Sequence, residues 1–100
     1  MTTVDKVVYS NNTFKNCKNI TSVDCNNVSW VDNSMYYAFY NCSNLSTITN
    51  ISNSVTNMYF TFGQCTNLVN APTIPNGVVD MYKTFYNCYN LVNADRKSVV

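Results

Sequence analysis

NMYFTFGQCTNLVNAPTIPNGVVDMYKTFYNCYNLVNA, residues 57–94, states one pattern twice. Met58, Phe62, Cys65, Asn67 and Leu68 recur at the same spacing as Met81, Phe85, Cys88, Asn90 and Leu91. A shorter form, F-x-x-C-x-N-[L/I], reaches back to Phe39–Cys42–Asn44–Leu45 and Phe14–Cys17–Asn19–Ile20, so the phenylalanines fall 25, 23 and 23 residues apart. Aligned quartets in a chain of 100 residues are an internal repeat, and a repeat decides the architecture before local propensity does. One unit cannot bury its apolar side alone, whereas stacked neighbours build a continuous core.

The period is too short for a paired-helix repeat and falls within the roughly 20–29 residues of leucine-rich repeats. The expected fold is an α/β repeat solenoid with short parallel strands on one face and short helical turns on the other. It forms a single domain, residues 1–100, of about four coils bounded near 7–27, 28–53, 54–77 and 78–100. In M-x-x-x-F-x-x-C the apolar side chains stand at i, i+4 and i+7, the inward face of a short helix. Met35, Phe39 and Cys42 then point inward together, as do Met58, Phe62 and Cys65, and Met81, Phe85 and Cys88. Ser10 replaces the methionine in the first copy, which predicts a frayed coil. The asparagine two residues after each cysteine suits a left-handed cap. Extended pieces follow at Ile20-x-x-Val23, Leu45-x-x-Ile48, Leu68-x-x-Ala71 and Leu91-x-x-Ala94, and Ile74-Pro-Asn-Gly77 turns into the next coil.

The expected core is therefore Phe14, Cys17, Phe39, Cys42, Leu45, Met58, Phe62, Cys65, Leu68, Met81, Phe85, Cys88 and Leu91. Cysteine serves there as a small apolar residue. The chain has 5 cysteines with no C-x-x-C and no histidine, which argues against a zinc site or a catalytic thiol. Stacked strands about 4.8 Å apart with parallel side-chain vectors do not suit disulfides, so reduced, buried thiols are expected. Cys25 lies outside the cysteine ladder, in the slot of Asn50 and Thr73, and is the thiol expected to be most exposed.

Composition narrows function by exclusion. A net charge of +1 with 11% charged residues does not suit nucleic-acid binding, since the basic residues cluster only as Lys15/Lys18 and Arg96/Lys97. No apolar run approaches the ~18 residues of a bilayer span, and the opening residues carry no signal-peptide pattern. The acids are Asp5, Asp24, Asp32, Asp80 and Asp95. The two in strand-like slots, Asp24 and Asp95, would lie about 14 Å apart by strand spacing. Without a carboxylate pair, a histidine or a phosphate-cradling glycine loop, no catalytic residues, metal or cofactor are expected. The N-x-[S/T] sequons at Asn11, Asn19, Asn27, Asn41, Asn44 and Asn50 follow from asparagine abundance.

The segments VTNMYFTFGQCTNLVNAPTIPNGV and MYKTFYNCYNL resemble the BspA-like leucine-rich repeats of bacterial and protozoan surface proteins, over roughly residues 7–94. Phe62, Cys65, Leu68, Ile74, Pro75, Val78 and Met81 fall on that family's pattern. Ala71 and Ala94 depart from it, as does the spacing between the first two copies, where Trp30 and Val31 are expected to take the slot of the later valine. The resemblance implies a curved solenoid, a cell-surface or extracellular setting, and adhesion or recognition of a protein or glycan. It implies no catalytic residue.

Three surfaces could carry a function. Tyr36, Tyr59 and Tyr82 share one repeat position, with Tyr40, Tyr86 and Tyr89 at helical spacing on the same face. Such rows make good contact residues, and equally good structural ladders between coils. The strand face (Ser46, Thr47, Thr49, Asn50; Val69, Asn70, Thr73; Asn93, Asp95, Arg96) is small and polar. The third surface is the pair of ends, which no polar cap covers, so that a piece of a longer protein or weak self-association is expected. The chain is read as a non-catalytic recognition module or as a purely structural spacer in a longer stalk.

Overall fold

The computed structural model describes residues 6–92. Its strands are short: β1 (Val7–Tyr9), β2 (Ser22–Asp24), β3 (Val28–Trp30) and β4 (Thr47–Thr49). β1 pairs in parallel with β3, Tyr9 opposite Trp30, and β2 pairs in parallel with β4, Val23 opposite Ile48. Each pairing joins one copy to the next in the same direction, as stacked copies of a single unit require. The β2–β4 pair is the one expected from the leucine positions, whereas β1 and β3 were not foreseen. Between the third and fourth copies the described residues contribute the bond from Val92 N–H to Val69 C=O at 2.9 Å. Pro72 has no N–H to donate to a ladder. Asn93, Ala94, Asp95 and Arg96, and with them most of the strand expected from Leu91, lie outside the described residues.

The expected helical turns are not helices. No α-helix forms among the described residues. Each M-x-x-x-F-x-x-C segment is instead a run of four-residue turns. Ala38 N–H bonds to Met35 C=O at 3.0 Å and Cys42 N–H to Phe39 C=O at 3.1 Å, with positive φ at the third residue of each turn, Tyr37 (56°) and Asn41 (61°). This is the φ signature of a type II turn. The same pair of positions is left-handed in every copy: Asn12 and Asn16, Tyr37 and Asn41, Phe60 and Gln64, Lys83 and Asn87. A right-handed helix cannot contain such residues. Alternate N–H groups point along the stack instead. Those of Met35, Tyr37, Phe39 and Asn41 donate to Asn57, Tyr59, Thr61 and Gly63 of the following copy. The first copy, with Ser10 in place of methionine, makes the same turn (Thr13 N–H to Ser10 C=O, 3.2 Å), and the Thr13 hydroxyl also donates to Ser10 C=O.

The left-handed asparagine is thus the one before the cysteine. The asparagine two residues after it has negative φ and uses its side chain between copies, with Asn44 Nδ2 donating to Lys18 C=O at 2.7 Å and Asn90 Nδ2 to Thr66 C=O at 2.7 Å.

Stacked phenylalanines form the spine of the core. Phe14–Phe39, Phe39–Phe62 and Phe62–Phe85 have ring centroids 5.2, 5.6 and 5.5 Å apart with nearly parallel planes. Met35, Phe39, Cys42, Leu45, Met58, Phe62, Cys65 and Leu68 are fully buried and Met81 is buried, while Phe14, Cys17, Phe85, Cys88 and Leu91 in the outer copies are only half-buried. The cysteines do more than fill space. Three of the thiols donate to the phenylalanine carbonyl of the preceding copy: Cys42 to Phe14 (3.0 Å), Cys65 to Phe39 (3.1 Å) and Cys88 to Phe62 (3.0 Å). Thr61 and Thr84, also buried, donate their hydroxyls to Met35 and Met58 C=O at 2.8 and 2.6 Å. All five cysteines are free thiols.

The junction between the first two copies differs from the expectation. Val28 occupies the slot of Val55 and Val78, closing the same turn by bonding to Cys25 C=O as they bond to Ser52 and Pro75 C=O. Cys25 is therefore buried (1% exposed) rather than the most exposed thiol, and Val31 is exposed (48%) rather than a core residue. The extra length is a 3-10 excursion, Val31–Asn33, with Asp32 left-handed (φ 56°, ψ 21°). Trp30 is buried against Tyr9 and Phe39, and its indole N–H has no partner among the described residues.

Candidate functional site

The run of turns displays an aromatic face. In a helix, successive residues would point about 100° apart, and Tyr37 would leave the side that Tyr36 occupies. The positive φ at the third turn position keeps both on the outside. Tyr36 stacks on Tyr59 (5.1 Å, planes 7° apart) and Tyr59 on Tyr82 (5.4 Å, 23°). Beside this row, Tyr37 stacks on Phe60 (5.0 Å, 4°). Phe60 is the hub, edge-on to Tyr59, Tyr82, Tyr40 and Tyr86 at 4.9, 5.8, 6.0 and 5.9 Å. Gly63 gives Tyr40 room, since a Cβ at position 63 would lie 2.8 Å from Tyr40 Cδ1.

Of the tyrosines expected to form the site, the structure therefore brings together Tyr36, Tyr40, Tyr59, Tyr82 and Tyr86. Tyr89 is set apart: it is 74% exposed and has no ring contact among the described residues. Tyr37 and Phe60 were missed. The available signal was their recurrence one residue after Tyr36 and Tyr59, which a helical reading turns away from the face.

Lysines close both ends of this face. Lys15 Nζ lies 5.0 Å over the Tyr37 ring and 5.8 Å over Tyr40, and Lys83 Nζ lies 4.7 Å over Tyr86 and 5.5 Å over Tyr82. Burial among the rings, then the neighbouring phenols, pushes the Tyr37 hydroxyl above its ordinary pKa. Tyr37 and Phe60 hold left-handed backbone with bulky side chains, a conformation that costs about 1–2 kcal/mol per residue. Ring pairs contribute about 0.5–1.5 kcal/mol each, and these two residues make several. Stacking thus over-determines the strained backbone. Because the rings stack face to face, Tyr59 offers a partner its edge and hydroxyl, not a free ring face.

The strand side is polar. A groove there is lined by Thr47, Thr49, Asn50, Asn70 and Thr73 among others. Asp24 beside it accepts from Asn50 Nδ2 and Asn26 N–H, each at 2.9 Å, and these bonds, the former first, hold its carboxyl below the ordinary range. Asn93, Asp95 and Arg96 of the expected strand face fall outside the described residues. Among the described residues no three His, Cys, Asp or Glu side chains could hold a metal ion together, and no helix is long and apolar enough to cross a membrane.

Burial pushes the pKa of Cys25, Cys42 and Cys88 up to about 11, and that of Cys65 further still. Such thiols remain protonated at neutral pH, and nucleophilic chemistry needs the thiolate.

A family model described as BspA type Leucine rich repeat region (6 copies) matches residues 6–99. No curated protein and no solved structure matches the chain.

Proposed function

This chain belongs to the BspA-type leucine-rich-repeat family, and we propose that it is a non-catalytic recognition module of a surface protein that docks a protein partner on its aromatic face. The observation that carries this reading is the plate of seven contacting rings, Tyr36, Tyr37, Tyr40, Tyr59, Phe60, Tyr82 and Tyr86. Three of them, Tyr36, Tyr82 and Tyr86, are exposed (38, 49 and 39%). Tyrosine supplies large amphipathic contact area at little entropic cost, which is why it is enriched at protein interfaces. A sugar that stacks on an aromatic face finds both faces of the central Tyr59 covered by Tyr36 and Tyr82. A protein can meet ring edges and phenol hydroxyls with its own side chains and carbonyls.

The same stacking favours a second reading, a four-coil solenoid acting as a spacer in a longer stalk, in which the rings only tie one copy to the next. Binding separates the two. The chain and its Tyr36→Ser/Tyr82→Ser variant are tested against immobilised surface proteins and a glycan array, with melting temperature followed in parallel. Protein binding lost while the variant, its melting temperature lowered by the ring pairs removed, is still folded at the assay temperature supports recognition. Equal binding by the two chains, or binding to glycans alone, defeats it.

A further inference from the structure

We propose that copies of this chain associate head to tail, the turn segment at 81–87 of one copy docking on the turn segment at 11–17 of the next. This inference is independent of the recognition reading. Its basis is the polarity of the hydrogen bonds along the stack. Along the turns alternate main-chain N–H groups point forward to the next copy's carbonyls: Asn12, Phe14 and Asn16 donate to Tyr36, Ala38 and Tyr40, and Met58, Phe60, Phe62 and Gln64 donate to Asp80, Tyr82, Thr84 and Tyr86. Main-chain N–H groups that point backward are those of Tyr36, to the Asn11 side chain, and of Thr56, Val79 and Asp80 where the chain enters the turns. Side-chain donors point backward. The thiols of Cys42, Cys65 and Cys88 and the hydroxyls of Thr61 and Thr84 reach carbonyls of the preceding copy.

The two end faces are therefore different and complementary. The forward face presents the N–H groups of Met81, Lys83, Phe85 and Asn87, none of which bonds to a described residue. The backward face presents the carbonyls of Asn11, Thr13 and Lys15, which accept nothing from a described residue, and the Cys17 thiol, which has no acceptor among them. Phe85 and Phe14, half-buried at the two ends of the ring stack, are placed to continue it. Two forward faces would set N–H against N–H, and two backward faces carbonyl against carbonyl, so like faces do not pair. A heterologous contact leaves a free face at each end of a pair, so association continues past the dimer.

One feature opposes the contact. Lys15 of the incoming copy takes the position that follows Tyr86, over which Lys83 already sits. Added salt screens this repulsion and tightens the association.

Sedimentation velocity under reducing conditions, from micromolar to millimolar protein, tests the proposal. The expected distribution grows past dimer with concentration and shifts upward with salt. Two variants change exposed positions at one end each: Tyr89→Asp with Val92→Asp at the forward end, and Thr13→Asp with Asn19→Asp at the backward end. Each is expected to be monomeric alone, and the two mixed are expected to give a dimer and nothing larger, since each retains one intact face. Labelling of Cys17 in the parent slows in proportion to the monomer lost. A parent that stays monomeric, a series that stops at dimer, or either variant associating with itself overturns the head-to-tail contact.

Discussion

Gln64→Asn reverses sign between a turn and a helix, which makes it the sharpest test of the architecture. Gln64 has φ 63° at the position held by Asn16, Asn41 and Asn87 in the other copies. An ordinary residue in left-handed backbone costs about 1–2 kcal/mol, of which asparagine recovers a good part because its short polar side chain bonds locally. The new amide also reaches along the existing ladder, where Asn41 Nδ2 donates to Asn16 Oδ1 at 2.9 Å, and an exposed bond of this kind contributes about 0.5 kcal/mol. No core contact is lost, since Gln64 is half-buried on the turn side. The expected gain is about 1 kcal/mol, or about 4–8 °C in melting temperature for a domain of this size. Urea denaturation should show a higher midpoint with an unchanged slope, because the surface exposed on unfolding is the same. In a helix the same change lowers stability by a few tenths of a kcal/mol, asparagine being the poorer helix former. A Gln64→Asn chain less stable than the parent would refute the turn.

Other outcomes follow from the packing. Phe62→Ala removes a fully buried ring sandwiched between Phe39 and Phe85 and should cost about 3–5 kcal/mol by thermal or urea unfolding, whereas half-buried Phe85 should cost less; equal costs would show that the stack does not set the core. Thiol labelling of the native chain should reach half-buried Cys17 and Cys88 first, and Cys25, Cys42 and Cys65 only on unfolding; early labelling of Cys25 would overturn its placement in the turn before Val28. The raised thiol pKa values also predict alkaline instability. Below the ordinary value of 9.0 the thiols are protonated in both states and stability is unaffected. As pH rises from 9.0 through about 11, the unfolded chain releases protons that folded Cys25, Cys42 and Cys88 retain, so stability falls. The melting temperature should drop over this range, and less steeply in Cys42→Ala; parallel profiles would mean that the thiol contributes nothing.

The stack was legible in the sequence because the residues that touch across copies are the residues that recur. Phe14, Phe39, Phe62 and Phe85 name the ring spine directly. The local backbone was not legible, for a geometric reason. Side chains three, four and seven residues after the methionine face inward both on a helix and on two successive four-residue turns, so Met35, Ala38, Phe39 and Cys42 cannot tell the two apart. The discriminating residue was the asparagine before the cysteine, at 16, 41 and 87, but the equally recurrent asparagine two residues after it drew the left-handed assignment. Cys25 was misplaced because counting from the cysteine aligns it with Asn50, whereas the shorter first turn aligns it with Ser52 and Pro75. The aromatic face depends on the same distinction. On a helix, Tyr36 and Tyr37 diverge and the surface thins to a single file of tyrosines. On a turn, the positive φ at Tyr37 and Phe60 doubles the file into a plate with lysines at its ends. The recognition reading therefore stands on the turn, and a destabilising Gln64→Asn would remove the plate together with the backbone that presents it.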